Sequence, residues 1–175
     1  MNNENQDQKN ALTLALKASE TELVSQKNEL RKHLNVKILN VLLRRWRASL
    51  NDEFRTEMFQ IFSDIKDQEA LSCIMDSLEA ENRIDRKNEI ISLLWMSSLD
   101  ASDHLVDLVN IALNGNYMTV VEVSTVIESF EGEFGEDEVM ESMYQIDEKL
   151  LAVENPEFAT VLMDLKEVVN KLNVT

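Results

Sequence analysis

Apolar residues recur at helical spacing along most of the chain after residue 36. They return at intervals of three and four residues, which places them on one face of an α-helix. The breaks between these segments carry helix-start signals, of which Asn155-Pro156-Glu157 is the clearest: a capping residue, a proline at the first helical position and an acid that the helix dipole favours. The pattern predicts an all-α fold. Typical sets are Ile90, Ile91, Leu94 and Trp95, and Phe158, Val161, Leu162, Leu165, Val169 and Leu172.

The breaks are short, which is typical of antiparallel helical hairpins. Leu71, Leu105 and Val139 begin the first helices of three successive hairpins, each 34 residues after the last. Residues 36–65 fit one earlier hairpin. A period of this length with two helices per unit indicates an α-solenoid. We therefore predict about four hairpins in residues 35–175. Their second helices are predicted at 54–65, 84–97, 117–131 and 156–172, although residues 120–127 are also rich in β-branched, strand-favouring side chains.

Residues 71–130 resemble the HEAT-like helical repeat family. The resemblance is strongest in DASDHLVDLVNIALNGNYMTVVEVSTVIESF, residues 100–130, where a first helix, a short Asn/Gly turn and a β-branched second helix follow one another. The chain departs from the family pattern in lacking a proline in the first helix and a basic residue early in the second. The resemblance implies an α-α superhelix, and a scaffold that holds protein partners on the concave face formed by the second helices.

The N-terminal region differs from this repeat region. Residues 1–10, MNNENQDQKN, are polar and are predicted to form a disordered tail without a secretory signal. In residues 11–34, leucines recur every seven positions (Leu16, Leu23, Leu30), but the alternate heptad positions are polar. We predict one extra N-terminal helix that packs on the first hairpin or self-associates with another chain. No apolar run approaches the roughly 20 residues that span a bilayer, so we expect a cytoplasmic protein that does not bind membranes.

Composition removes several classes of function. Three glycines and one proline disfavour an all-β fold, and neither GxGxxG nor GxxxxGK[ST] occurs. The lone Cys73 allows no internal disulfide and no CxxC pair. His104 shares a helix face with Asp100 and Asp107, which is half of a metal site, but no second histidine cluster completes it. The acidic segment EGEFGEDEVMES lacks the EF-hand pattern. We therefore predict no enzyme, no cofactor and no metal.

Charge is unevenly distributed along the chain. The formal net charge is −16, yet residues 27–47 contain seven bases and one acid, whereas residues 48–175 contain eight bases and 28 acids. Residues 128–141 carry seven acids and no base. They are interpreted either as a solvated loop and helix start or as a docking face for a basic partner, whose binding would weaken with salt. The candidate partner-binding residues are Glu89, Glu122, Glu128, Glu131, Glu133 and Glu136.

The basic segment centres on Arg44-Arg45-Trp46-Arg47. Arginines around an aromatic ring can bind phosphates and stack on bases. Trp46, however, lies four residues after Leu42 on the apolar face, which favours a core tryptophan with arginines that flank the core and meet acids. Arg44, Arg45 and Arg47 are therefore candidate contacts for phosphate or a partner, and nucleic-acid binding is expected, if anywhere, only in residues 27–47. The eight methionines are expected mainly to fill the core.

Two functions are consistent with these patterns. The first is a non-enzymatic protein–protein interaction scaffold that binds a basic protein on its concave face. The alternative is an acidic inhibitor or immunity-type protein that blocks a nuclease or another enzyme by mimicking a polyanion. An inhibitor predicts a single tight partner, whereas a scaffold predicts several weaker ones.

Overall fold

The structure, a computed structural model, describes residues 2–97 and 99–175, with the side chains of the first helix described from residue 6. Within these ranges the chain forms eleven α-helices and one turn of 3-10 helix, and no β-strand. The all-α prediction is confirmed. The chain divides into two compact units, residues 1–81 (unit 1) and residues 82–175 (unit 2).

Unit 1 contains six helices, and its core is built around α4 and α5. Their bounds are α1 Asn2–Lys17, α2 Glu20–Ser25, α3 Lys27–Lys32, α4 Val36–Ala48, α5 Asp52–Ser63 and α6 Ala70–Glu79. Helix α4 packs against both α1 and α6, while α2 and α3 pack against α5. The predicted second helix at 54–65 is α5, which begins two residues earlier because the Asn51 side chain accepts a hydrogen bond from the N–H of Phe54.

The N-terminal region differs from the prediction in two respects. Residues 2–10 belong to α1 and are not a disordered tail, and Met1 lies outside the described residues. Residues 11–34 form three helical segments instead of one helix. The chain leaves α1 at Ala18 because Ser19 and Glu22 form a capping box that begins α2. Leu23 and Leu30 are fully buried within unit 1, whereas Leu16 is 57% exposed.

Unit 2 consists of five α-helices and the 3-10 turn. Their bounds are α7 Ile84–Ser97, the 3-10 turn Ser102–His104, α8 Leu105–Leu113, α9 Tyr117–Glu128, α10 Glu136–Ala152 and α11 Pro156–Asn170. Helix α9 packs between α7 and α11, and α8 packs against α10; α8 also contacts α9, and α10 contacts α11. The predicted helix 84–97 is confirmed, and those predicted at 117–131 and 156–172 are found as α9 and α11, which end a few residues earlier.

Side-chain caps explain where two of these helices begin. The Asn155 carboxamide accepts hydrogen bonds from the N–H groups of Glu157 and Phe158, with Pro156 at the first helical position, as the sequence predicts. Asn116 and Thr119 form a reciprocal cap at the start of α9. The β-branched stretch 120–127 is helical, and Val120, Val123 and Val126 on one of its faces are buried against neighbouring helices.

Over the described ranges, every helix is too short or too polar to cross a membrane.

Candidate functional site

The candidate site lies on α7, α9 and α11 of unit 2, and we call the solvent-accessible side chains of these three helices the second-helix surface. Contacts between α7 and α9 join early residues of one helix to early residues of the other, and later residues to later residues. Near their starts, Thr119 donates from Oγ1 to the Asn88 side-chain oxygen over 2.8 Å. Further along, the Trp95 indole N–H donates to the Glu122 carboxylate over 2.9 Å. The two helices therefore run in the same direction, and their C-terminal ends lie at the same edge of the unit.

Apolar side chains are exposed on this surface. Trp95 is 38% exposed, Met118 on α9 47% and Met163 on α11 53%. The expectation that the methionines mainly fill the core is wrong for Met118 and Met163, and also for Met140, which is exposed on α10. The apolar stripe also placed Trp95 on the buried face. Instead, its hydrogen bond to Glu122 holds the polar edge of the indole at the surface, as is common for tryptophan.

The predicted acidic residues on these helices have different surroundings. Glu122 is the acceptor for Trp95. Glu89 lies within the second turn of α7, where its carboxylate is 3.2 Å from the Arg86 guanidinium. Glu128 ends α9 and lines a small cavity of about 220 Å³ together with Lys171. The structure therefore places Glu89 and Glu128 apart, and only Glu122 is tied directly to the exposed aromatic ring.

The acidic stretch 128–141 is not one continuous face. Phe134 in its middle is buried, and its backbone N–H donates to the carbonyl of Asn173 over 2.8 Å. The N–H of Thr175 in turn donates to the Phe134 carbonyl over 3.0 Å, so the connection between α9 and α10 is clamped to residues 173–175. Glu133 and Glu136 are exposed on either side of Phe134. Glu136 opens the first turn of α10, where acids stabilise the helix dipole.

A cavity of about 380 Å³ lies where α7 and α9 end. It is lined by Trp95, Leu99, Asp100, Ser129, Phe130 and Glu131. We call it the α7–α9 end cavity. Glu131 was predicted as a partner-binding residue, and in the structure it is exposed and lines this cavity together with Phe130. Asp100 and Trp95 were missed as site residues. In the structure Asp100 and Glu131 each follow the end of a helix by three residues, a regularity that the predicted helix end at residue 131 concealed.

The electrostatics of the α7–α9 end cavity are negative. Two carboxylates lie at its edge, and none of the described residues that line it is basic. The C-terminal ends of α7 and α9 add partial negative charge, because the last carbonyls of a helix lack partners within it. Asp100 is positioned by the backbone N–H of Ser102, which donates to its Oδ1 over 3.0 Å. The site is suited to a positively charged group.

The candidate arginines of unit 1 are engaged within the chain, except for Arg44. Arg45 donates from both terminal nitrogens, to the carbonyls of Ala15 and Ala18 over 2.7 Å each, and so caps the end of α1. Arg47 contacts Glu81 at 3.4 Å. Arg44 is exposed and bonds only within its own helix, to Asn40, among the contacts described. Trp46 is 1% exposed, which agrees with the prediction that it is a core residue.

Arg55 completes the surroundings of Trp46. The Trp46 indole N–H donates to the Arg55 carbonyl, and the Arg55 guanidinium donates to the Trp46 carbonyl and lies 4.3 Å from the centre of the indole ring. The ring is therefore covered from solvent by its own chain. It cannot stack on a base without unfolding this contact.

The remaining chemical candidates are isolated. The His104 ring is 3.2 Å from Asp107, and no group of three potential metal ligands occurs among residues 2–97 and 99–175. Cys73 is buried, and this burial raises the pKa of its thiol above the ordinary value.

Comparison with models of known protein families found no match, and comparisons with curated proteins and with solved structures found none either.

Proposed function

We propose that this protein is a non-enzymatic protein-binding scaffold of the α-solenoid, HEAT-like type, and that it binds a basic protein segment on the second-helix surface of unit 2. The packing order supports a solenoid within unit 2: α7, α9 and α11 contact one another in succession, as do α8 and α10, so that hairpins are arranged in two layers. The observation that carries the proposed binding is the combination of exposed apolar side chains and acids on one of these layers.

The charge of unit 2 supports a basic partner. Unit 2 has six bases and 19 acids, so that even if every base paired with one acid, 13 acids would be left. Such a field attracts positively charged partners and accelerates their association, and its effect falls with ionic strength. Exposed Trp95, Met118 and Met163 supply the apolar contact area that long-range attraction alone does not give.

The alternative, an acidic inhibitor that mimics a polyanion, requires carboxylates that follow one another without apolar interruption. The second-helix surface instead places aromatic and methionine side chains among its acids. This mixture favours recognition of a peptide or protein segment that carries both basic and apolar residues.

A short synthetic peptide that alternates basic residues with leucine tests the proposal. We expect its titration into the ¹⁵N-labelled full chain to shift backbone resonances of α7, α9 and α11, with an affinity that decreases as salt is raised. A peptide with serine in place of leucine should bind at least about fivefold more weakly, because it loses about one kcal/mol or more of apolar burial. Equal binding of both peptides would favour the polyanion mimic.

Matched variants distinguish peptide binding at a defined surface from general electrostatic attraction between the peptide and the acidic protein. Replacing two acids of α9 and the acid that follows its end (Glu122→Gln, Glu128→Gln, Glu131→Gln) should weaken peptide binding by about tenfold or more, since three negative charges that face the basic segment are removed. The control removes the same charge from exposed acids of unit 1 (Glu53→Gln, Asp76→Asn, Glu79→Gln) and should change affinity by less than about twofold. Equal losses in both variants, or shifts spread over both units, would contradict a specific surface.

A further inference from the structure

The α7–α9 end cavity has the size and chemistry of a pocket for one side chain. Its volume of about 380 Å³ lies at the lower end of the roughly 300–1,000 Å³ typical of ligand pockets. Its walls combine an indole, a phenyl ring and a leucine with two carboxylates. It differs from the smaller cavity beside Glu128, whose lining includes the basic Lys171.

The aromatic walls are held in place by contacts that leave the cavity open. The Trp95 indole N–H is bonded to Glu122, which fixes the ring orientation. Phe130 stacks on Phe134, with ring centres 5.8 Å apart and planes inclined by 29°. Phe134 is in turn bound to residues 173 and 175 by backbone hydrogen bonds. The pocket is therefore formed before a ligand arrives, which reduces the entropy lost on binding.

The carboxylates and helix ends of the cavity favour a cation, and its aromatic rings favour a planar one. A planar guanidinium can stack on an indole while it donates paired hydrogen bonds to carboxylates. A lysine ammonium is a strongly hydrated point charge and gains less from a flat aromatic wall. Asp100 and Glu131 both line the cavity and follow the ends of two different helices.

We propose that the α7–α9 end cavity binds an arginine side chain of the partner, between Asp100 and Glu131 and against Trp95. This inference rests on the proposed function, because it names the residue that anchors the basic segment on the second-helix surface. The arginine anchor is a single subsite, and the rest of the segment extends over α9 towards Met118 and α11.

The test uses N-acetyl-arginine amide and the two indole N–H resonances of the ¹⁵N-labelled full chain, assigned with Trp95→Phe. The arginine probe should shift the Trp95 signal in a saturable manner and leave that of buried Trp46 unchanged. N-acetyl-citrulline amide has nearly the same shape without the charge, and it should produce no saturable shift. N-acetyl-lysine amide should bind at least about threefold more weakly than the arginine probe.

Two double variants with the same change in charge complete the test. Asp100→Asn with Glu131→Gln should weaken binding of the arginine probe by about tenfold, since charge-assisted hydrogen bonds are lost. Glu148→Gln with Glu154→Gln, exposed acids outside the cavity, should leave it unchanged. Both variants are compared by circular dichroism, so that misfolding is recognised.

The outcomes distinguish the pocket from the surface. If the basic peptide shifts α7, α9 and α11 but the arginine probe does not move Trp95, the arginine pocket is wrong and the binding surface stands. If the probe binds the cavity while the peptide finds no defined surface, the proposed scaffold function fails on its own. Equal binding of citrulline or lysine would overturn the selection of arginine.

Discussion

The two units of the chain use their charged residues in opposite ways. Unit 1 has 11 bases and 14 acids, close to balance, whereas unit 2 has six bases and 19 acids. In unit 1, four of the seven bases of residues 27–47 contact other elements of the fold: Lys27 contacts Glu57 at 2.7 Å, Arg31 contacts Asp64 at 3.1 Å, Arg47 contacts Glu81 at 3.4 Å, and Arg45 caps α1. In unit 2 most acids have no base to pair with.

A cluster of bases in the sequence is therefore not by itself a docking surface. In the sequence, the basic residues 27–47 are followed by a strongly acidic region, residues 48–175. Acidic residues of unit 1 form ion pairs with several of these bases. The excess charge available for recognition is thus the negative charge of unit 2, and the tryptophan available for contact is Trp95 and not Trp46.

The two tryptophans give the largest test of this comparison. Trp46→Ala should lower the free energy of unfolding by about 3–5 kcal/mol, because a fully buried aromatic side chain leaves a cavity. Trp95→Ala, on a partly exposed ring, should cost about 1 kcal/mol. Urea unfolding followed by circular dichroism, which does not depend on tryptophan emission, measures both. Similar losses in the two variants would mean that Trp95 is a core residue and not a contact residue.

Neighbouring arginines of α4 test whether the bases of unit 1 serve the fold. Arg45→Met removes two charge-assisted hydrogen bonds to the end of α1 and should cost about 1.5–3 kcal/mol. Arg44→Met removes an exposed side chain and should stay within about 0.5 kcal/mol of the wild type. Hydrogen exchange should show faster opening of α1 in the Arg45 variant alone. An Arg44 variant that is equally damaged would contradict this division of roles.

Two glycines of unit 2 test how firmly the cavity wall is shaped. Gly132 has φ of +123°, so Gly132→Ser should cost about 1–2 kcal/mol even though a Cβ would meet open space. Gly135 has φ of −61° at the N-cap of α10, where Gly135→Ser supplies the missing cap and should stabilise by about 0.5 kcal/mol. Thermal unfolding measures both. The two substitutions should change the stability in opposite directions. A Gly132→Ser variant as stable as the wild type would show that the loop tolerates other conformations.

The smallest effects concern two carboxylates with lowered pKa values. Backbone and side-chain hydrogen bonds from Ser19 lower the pKa of Glu22 in unit 1, and a hydrogen bond from Lys171, with its charge, lowers that of Glu167 in unit 2. Each contribution to stability is complete above the ordinary glutamate pKa and is lost as pH falls through the folded-state value. NMR titration should show the pKa rising in Ser19→Ala and Lys171→Met respectively. Added salt should appreciably raise only the pKa of Glu167, because the lowering of that pKa depends on the ion pair with Lys171.

Local signals explain what the sequence predicted correctly. Helix α7 was predicted at 84–97, where the structure has it, because its apolar spacing is regular and polar residues precede it. The start of α11 followed from Asn155 and Pro156. The breaks within residues 11–34 were missed because leucines continued at heptad spacing through them. Ser19 and Glu22 form a local capping pattern that was visible in the sequence and outweighs that spacing.

The α7–α9 end cavity could not be predicted in the same way. Its walls come from Trp95 to Glu131, and their proximity depends on how α7 packs against α9. Periodicity assigns a residue to the apolar face of its helix, but it does not tell whether a neighbour covers that residue along its whole length. Trp95 lies at the edge of the packed stripe, where its hydrogen bond to Glu122 is a tertiary contact.

The clamp between Phe134 and residues 173–175 gives the cavity a place in the order of folding. The clamp joins positions about forty residues apart, and its two segments of chain meet only when α10 and α11, which lie between them in sequence, are in place. The wall at Phe130 can therefore be fixed only after residues 173–175 have joined unit 2. A variant that lacks residues 173–175 would therefore keep the acidic helices but would lose the backbone bonds that hold Phe134 beside Phe130.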